Sequence, residues 1–360
     1  MDPLTHTLVG AALASTRLRD TTRLATAALV IGANLPDVDS IFYFTGHDDF
    51  ALGFRRGWTH GVLALIVLPF IQTVLLLLVD YLMGGRRPAG RPTGAPPVRR
   101  AWLLALSAFA ILTHPFLDWL NNYGMRWLMP FDGTWFYGDS VFIMDPWLWL
   151  ILGIGWLAPR RATRVTIAIW AACTLLLAYV VAQRAMNYLA VVAVVAVILF
   201  LALLWKPRVP WIATAALLIA FAYIGARLVI HEFAERRIAR ELAASKVMAG
   251  PNPLDPTRWD FVARTGDVYR FGRFTFLEGM TLAPERLPVP KPSPQWELAK
   301  RDPSIQGFLT WVRFPWYEIE RTPTATRVLV HDARYAVRRR AGGGFGGVEV
   351  VLPAGAMRKP

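Results

Sequence analysis

Long apolar runs constrain the fold of this 360-residue chain more than any other feature. A helix needs roughly 20 apolar residues, within a range of about 17 to 25, to cross the hydrocarbon of a bilayer. Runs near that length cover residues 60–83, 101–120, 163–182, 187–205 and 210–230. We therefore expect a mainly α-helical protein whose core is a multi-span transmembrane helical bundle.

Shorter apolar segments accompany these runs. Residues 143–158 form a shorter, tryptophan-rich run, and tryptophan is typical of membrane interfaces. Residues 4–16 and 22–35 are each too short to span comfortably, so we expect a helical hairpin that is partly embedded or packed against the bundle.

Composition and charge support the membrane assignment. Only 18% of the residues are charged, whereas soluble domains usually carry about 25%. The net charge is +14, but much of the excess lies in short connections between apolar runs, where the positive-inside rule explains it. We therefore expect no nucleic-acid partner. The single cysteine, Cys173, excludes a disulfide within the chain and argues against a cysteine-based zinc site.

The basic connections also give an orientation. If each long run crosses once, the arginine- and lysine-rich connections 84–100, 159–164 and 206–208 all fall on one side. The positive-inside rule makes that side cytoplasmic. The opposite side, which we expect to be the periplasm of a bacterial inner (cytoplasmic) membrane, then receives residues 37–59, residues 121–142 and everything after residue 231.

The composition changes after residue 231, and we predict three parts. These are a membrane-embedded helical domain at 1–230, a helical linker at 231–250 and a small, soluble, mainly-β domain at 251–360. In the last part, residues 259–264 and 268–271 flank a turn and predict a β-hairpin. Further strands are predicted at 308–314, 326–335 and 347–352.

Several metal-ligating side chains interrupt or border the apolar segments. Asp37 and Asp39 follow an apolar run directly, and Pro36 between them and that run disfavours a continuing helix. His114 and Asp118 are four residues apart, a spacing that puts both on one face of a helix. The full candidate set is His6, Asp37, Asp39, His60, His114 and Asp118.

The predicted topology brings these side chains to one place. All of them except His6 fall at the non-cytoplasmic face, and His6 joins them if the N-terminal hairpin dips inward. Ionisable residues within membrane segments are costly and are usually functional. Taken singly, each has a plainer role: a border histidine can serve helix packing, and Asp37 with Asp39 can cap a following helix.

Imidazole and carboxylate ligands suit zinc, manganese or iron, and this mixture is common in hydrolytic zinc sites. The set suffices for one or two divalent ions, most plausibly zinc. Such a site can hydrolyse an ester or phosphoester. We expect Asp37, Asp39 and Asp118 to include the catalytic carboxylates, and a membrane lipid or lipid-linked molecule fits the location as substrate.

The ordered motifs resemble a known family. Thr5-His6, Leu35-Pro36-Asp37-Val38-Asp39, Arg56-Gly57-Trp58-Thr59-His60-Gly61 and His114-Pro115-Phe116-Leu117-Asp118, followed by Tyr123-Gly124, are similar to motifs of the YdjM-type bacterial inner-membrane proteins. That family is described as metal-dependent hydrolases, and its pattern is similar to that of zinc-dependent phospholipases C. The resemblance covers mainly residues 1–150. It implies an α-helical metal centre that uses the six candidates and acts on a phosphoester or lipid-like substrate. The chain departs from the family at Arg55 or Arg56, where a histidine is usual.

Two other functions remain open. The His/Asp cluster can belong to a non-catalytic membrane scaffold or binding protein with a structural metal site. A transporter would use intramembrane carboxylates and histidines for protons or metal ions. The transporter is disfavoured because the runs 163–182, 187–205 and 210–230 carry almost no polar side chains.

Overall fold

A computed structural model describes most of the chain. The described residues are 1–45, 48–84, 96–157, 211–253, 255–323, 325–335 and 347–353. The predicted spans at 163–182 and 187–205, together with Cys173, lie outside them.

The predicted N-terminal hairpin is present as two short helices, α1 (Pro3–Leu13) and α2 (Ala25–Gly32). α1 begins at Pro3 because the Asp2 carboxylate accepts hydrogen bonds from the first free amides, and a proline suits the first turn. A short 3-10 helix, η1 (Arg17–Asp20), lies between the two helices. Leucine and alanine side chains of both helices pack against the bundle in one buried cluster.

Gly10 sets the distance between α1 and α2. A Cβ at this position would lie 2.6 Å from the carbonyl oxygen of Leu29 and 2.9 Å from the Cα of Val30. Both atoms belong to the backbone of α2, so they could move away only if the helix itself shifted. The close approach of the two helices therefore requires glycine.

We expect Gly10→Ala to lower the free energy of unfolding by about 1–3 kcal/mol, because the added methyl group forces α1 and α2 apart. Gly225→Ala is the matched control, since a Cβ there meets no atom within 4 Å in the described structure. The control should raise stability by up to about 1 kcal/mol through helix propensity. Denaturant unfolding in detergent compares the two, and equal effects would contradict the close-approach argument.

Among the described residues, three helices are long and apolar enough to cross a membrane. They are α4 (Val62–Gly84), α5 (Arg100–Trp119) and α7 (Trp211–Leu242), which match the predicted runs 60–83, 101–120 and 210–230. A short helix between α2 and α4, α3 (Asp48–Phe54), precedes the first of them. α6 (Pro146–Leu157) corresponds to the shorter run at 143–158 and packs against α1 and α7.

α7 extends well beyond its apolar part. Ion pairs at i,i+4 spacing, such as Arg237 with Glu241 at 2.7 Å, cover its last turns. The helix ends where Ala243 adopts a positive φ of 47°. The predicted helical linker 231–250 is thus a direct continuation of α7, and its last residues begin a strand instead.

The C-terminal region contains two antiparallel sheets. The first has strand order β1 (Lys246–Pro251), β2 (Arg258–Thr265), β3 (Val268–Thr275) and β4 (Gly279–Pro288). The second has the order β5 (Pro315–Arg321), β6 (Ala325–Asp332) and β7 (Gly347–Pro353). The predicted hairpin at 259–271 is confirmed as β2–β3, and the strands predicted at 326–335 and 347–352 correspond to β6 and β7.

The strand predicted at 308–314 is wrong. Residues Gln306–Trp311 form a short helix, α9, which follows α8 (Pro294–Ala299) and a 3-10 turn at Pro303–Ile305. Phe308 and Trp311 are buried three residues apart in one apolar cluster. A spacing of three residues between buried side chains is helical. The helical periodicity was not apparent from the sequence because the segment is short and apolar.

The C-terminal region contacts the loop that follows α5. Trp311 Nε1 donates a hydrogen bond to the carbonyl of Tyr123 at 3.0 Å, and Arg334 donates to the carbonyl of Asn122 at 2.6 Å. Arg313 pairs with buried Asp139 at 2.7 Å. Residues 121–142 and the C-terminal region, which were expected on the same side of the membrane, therefore contact each other.

Candidate metal centre

The candidate residues come from four segments that meet at one end of α4 and α5. His6 lies on α1, and His60 immediately precedes α4. His114 and Asp118 share a face of α5 near its C-terminal end. Asp37 and Asp39 lie on a 3-10 helix, η2 (Leu35–Thr45), which replaces an α-helix after Pro36.

Four of these side chains form a compact group. One ligand atom from each of Asp37, His60, His114 and Asp118 lies within 4.8 Å of the others. His60 Nε2 and His114 Nε2 lie 3.3 Å and 3.6 Å from Asp118 Oδ2, and His114 Nε2 lies 3.6 Å from Asp37 Oδ1. These separations suit donors that converge on a cation between them.

Neighbouring groups fix the orientation of both imidazoles. His114 Nδ1 lies 2.7 Å from the carbonyl oxygen of Ala33, which can only accept a hydrogen bond. Nδ1 therefore carries the proton, and the Nε2 lone pair faces the cluster. His60 Nδ1 faces Thr59 Oγ1 at 2.9 Å and Asp39 Oδ2 at 3.4 Å, which leaves its Nε2 free in the same way.

The cluster contains buried polar atoms without a hydrogen-bond partner. They include both ring nitrogens of His6, the Nε2 atoms of His60 and His114, Oδ2 of Asp118 and Nε of Arg56. Buried polar atoms are nearly always paired in proteins, so this group of unpaired atoms requires an explanation. A cation bound among the four converging residues would satisfy His60 Nε2, His114 Nε2 and Asp118 Oδ2, and imidazole and carboxylate are ligands that zinc accepts.

The protonation states also suit metal binding. Burial lowers the pKa of His6 and of His60 well below its usual value, so both imidazoles are neutral near pH 7. Burial opposes ionisation of Asp37, but contact with His114 and the charge of Arg55 hold its pKa well below the usual range. Neutral imidazoles and an ionised carboxylate are the forms that bind a metal.

Asp39 occupies a different place from the other candidates. Its Oδ2 accepts hydrogen bonds from the Arg56 backbone amide at 2.9 Å and from Thr59 Oγ1 at 3.0 Å, and its Oδ1 lies 3.3 Å from Arg55. Burial raises its pKa above the usual value, although Arg55 opposes this. Asp39 therefore faces the Nδ1 side of His60, away from the orphaned atoms.

We expect Asp39→Asn to weaken metal affinity by about 10–100-fold, the range typical of a partner that supports a ligating histidine. The amide keeps the shape but loses the charge that orients His60. Competition with a chromophoric chelator measures the change. Affinity equal to that of wild type would show that Asp39 does not support His60.

His6 lies beside the group of four. Its ring stacks on that of His114 with 3.7 Å between the centroids, and its Nε2 is 3.3 Å from Asp118 Oδ1. The amino group of Met1 contacts the same carboxylate oxygen. The six predicted residues are thus brought together, with four converging and His6 and Asp39 on either flank.

Two arginines belong to the site although the pattern of histidines and aspartates did not include them. Arg55 lies 3.3 Å from both Asp37 and Asp39. Arg56 is buried, adopts a positive φ of 52°, and its Nε lies 3.0 Å from Asp118 Oδ2. Burial lowers the pKa of Arg56 to about 10, so it stays charged near neutral pH. In the sequence, the sign that these arginines matter was the arginine at position 55 or 56, where the family that the motifs resemble usually has histidine.

The cluster opens on one side. The side chains of His60, His114 and Asp118 are inaccessible, whereas those of Asp37 and Arg55 are 16% and 17% exposed. Asp37 and Arg55 are therefore the parts of this group nearest to solvent.

Comparison with known proteins gives one match. A family model described as YdjM inner membrane protein matches residues 1–188, a segment that contains all six candidate residues. No curated protein and no solved structure matches the chain.

Proposed function

The chain belongs to the YdjM inner membrane protein family, and we propose that it is a metal-dependent hydrolase acting on an ester or phosphoester of a lipid or lipid-linked molecule. The observation that carries the proposal is the convergence of ligand atoms from Asp37, His60, His114 and Asp118, three of which contribute buried atoms without a hydrogen-bond partner. Buried polar atoms without hydrogen bonds are costly, and a shared cation that they all bind would offset that cost.

We propose that Asp37, His60, His114 and Asp118 hold a divalent ion, most plausibly zinc. One ion fits the separations of at most 4.8 Å among their ligand atoms. His6, beside Asp118 Oδ1, is the candidate for a second ion, and Asp39 positions His60. A bound divalent ion would supply Lewis acidity and would lower the pKa of water, so that hydroxide becomes available near neutral pH to attack an ester or phosphoester.

The residues at the opening have roles that follow from their positions. Arg55 is the cation nearest solvent, so it can bind the negative charge of a phosphoester and hold it beside the cluster. Asp37 lies next to it and is the most accessible of the four proposed ligands, so it is the one that meets the substrate. Asp118 is inaccessible and contacts Arg56 and three histidines, so its charge serves to assemble the site.

A row of apolar side chains beside Asp37 supports a lipid substrate. Val38, Ile41 and Phe44 are exposed, the last to 89%, whereas Asp39 on the same helix is buried. A 3-10 helix has 3 residues per turn, so positions 38, 41 and 44 form one stripe. A stripe of this kind is unfavourable in water and suits acyl chains next to the opening of the site.

We propose a multi-span bundle in the bacterial inner (cytoplasmic) membrane with residues 1–230 as the membrane domain. Residues 231–250 connect it to a mainly-β domain, 251–360, which we place in the periplasm. The family description supports the inner membrane. The basic connections 84–100, 159–164 and 206–208 support the orientation.

The alternative is a non-catalytic scaffold with a structural metal site. Structural zinc sites are closed by four protein ligands, whereas catalytic sites keep one position for water or substrate. Four converging protein ligands match the closed count, but the partial exposure of Asp37 and Arg55 favours a site that water or substrate can reach. The resemblance to zinc-dependent phospholipases C favours phosphoesters.

The purified protein in detergent should be tested on p-nitrophenyl esters, bis(p-nitrophenyl) phosphate and phospholipids in mixed micelles. We expect wild type to hydrolyse one of these classes, His60→Ala to lose the activity, and His231→Ala, whose histidine lies on α7 beside Glu235, to keep it. Bound metal in wild type without turnover of any class would favour the scaffold. Equal activity in both variants would contradict the site.

A further inference from the structure

The hairpin between β3 and β4 has solvent-exposed apolar side chains at its tip. Phe276 and Leu277 lie in its tip, residues 275–279, where they are 58% and 92% exposed. The turn is closed by the Glu278 amide, which donates a hydrogen bond to Thr275 Oγ1 at 3.1 Å, and by Gly279, which takes a positive φ of 75°. The hairpin tip therefore holds both side chains outward.

The hairpin tip adjoins the outer surface of α7. The Phe276 ring lies 5.7 Å from that of Phe233, which is itself partly exposed. One turn earlier on the helix, Val229 is 72% exposed. The apolar surface of the hairpin tip is thus continuous with the lipid-facing side of a candidate membrane span.

The position of Phe233 on α7 places this contact at a membrane border. From Trp211 to Ile230 the helix rises about 29 Å at ~1.5 Å per residue, close to the roughly 30 Å of hydrocarbon in a bilayer. Beyond Ile230 the helix carries charged side chains paired at i,i+4 spacing. Phe233 therefore lies just outside the hydrocarbon, at the depth of the lipid headgroups.

The first sheet runs along α7, away from that border. Arg227 contacts the carbonyl of Pro256 beside the start of β2, and its guanidinium group lies 4.2 Å from the Trp259 ring centre. At the other end, the Ser245 amide bonds to the carbonyl of Arg264 near the end of β2. Because Thr275 pairs with Arg258, the hairpin tip shares the membrane end of the sheet.

We propose that the hairpin tip docks into the headgroup layer of the bilayer that α7 crosses, with Phe276 and Leu277 inserted beside Phe233. The partner is the lipid surface itself. This contact would fix the C-terminal region to the membrane at a second point besides α7. The inference rests on α7 crossing the bilayer and is independent of the hydrolase activity.

A fluorescent label at each end of the same sheet tests the inference. Leu277→Cys and Asp267→Cys, each in a Cys173→Ser background, are labelled with an environment-sensitive dye in the full-length protein. Asp267 is exposed in the β2–β3 turn, about 23 Å from the other end of β2 by strand rise. The protein is then placed in vesicles of phosphatidylethanolamine and phosphatidylglycerol, with or without lipids that carry a nitroxide at the headgroup.

We expect the label at 277 to emit further to the blue than the label at 267, and to lose fluorescence when nitroxide lipids are present. The label at 267 should be insensitive to them. Equal emission and no quenching at either position would overturn the proposal. A blue shift at 277 without quenching would also overturn it, because the hairpin tip would then be covered by protein, such as a second copy.

Discussion

Replacing His60 and His114 together by alanine should lower the affinity of the purified protein for divalent metal by more than about 100-fold. Removal of a group that only supports a ligand costs about 10–100-fold, and this variant removes two of the four converging donors themselves. Neighbours on the Nδ1 side orient both imidazoles, so each presents its Nε2 lone pair to the cluster, and this variant removes both lone pairs. Metal analysis by mass spectrometry after detergent purification measures the loss.

His231→Ala is the matched control for that variant. His231 is also a buried histidine, but it lies on α7 and pairs with Glu235 at 3.1 Å, remote in sequence from the cluster. The control should retain the metal of wild type. Full metal content in the double variant would exclude His60 and His114 as ligands. Loss of metal from the control would indicate general unfolding.

Arg56→Ala should produce the largest loss of stability of any single substitution considered, about 3–5 kcal/mol in the metal-free protein. That is the usual cost of removing one partner of a buried ion pair, because the other charge stays buried without compensation. Arg56 lies beside Asp118 and also donates to Asn121 and to the carbonyl of Gly124. Its loss would therefore loosen the segment after α5 as well as the carboxylate.

Arg258→Ala provides the comparison, because the Arg258–Asp260 pair is 37% and 41% exposed and should contribute at most about 1 kcal/mol. Unfolding by denaturant in detergent compares both variants with wild type. Added metal should reduce the deficit of Arg56→Ala, since a bound cation compensates Asp118. Equal stability of the two variants would show that Arg56 does not neutralise the carboxylate.

The sequence predicted much of the membrane part because the relevant signals are local. The lengths of α4 and α5 follow directly from the apolar runs at 60–83 and 101–120. The spacing of His114 and Asp118 fixed their common face. Their convergence with Asp37 and His60 was inferred from topology, since arginine placement put all of them at one end of the bundle.

Other features depend on contacts that sequence does not display. Asp39 has the same residue type and nearly the same place as Asp37, yet its oxygens face the Arg56 amide and Thr59. The burial of Arg56 beside Asp118 is likewise a tertiary property, and an arginine next to a membrane segment usually faces water. In the C-terminal region, the helix Gln306–Trp311 was taken for a strand because short apolar segments carry little periodicity.

The most direct test of the account is the position of the metal in a structure of the protein loaded with zinc, read from anomalous scattering at the zinc edge. We predict a peak among Asp37, His60, His114 and Asp118, with about 2.0–2.1 Å to each Nε2 and about 2.0–2.2 Å to the carboxylate oxygens. A peak elsewhere, or none at this cluster under saturating zinc, would contradict the account.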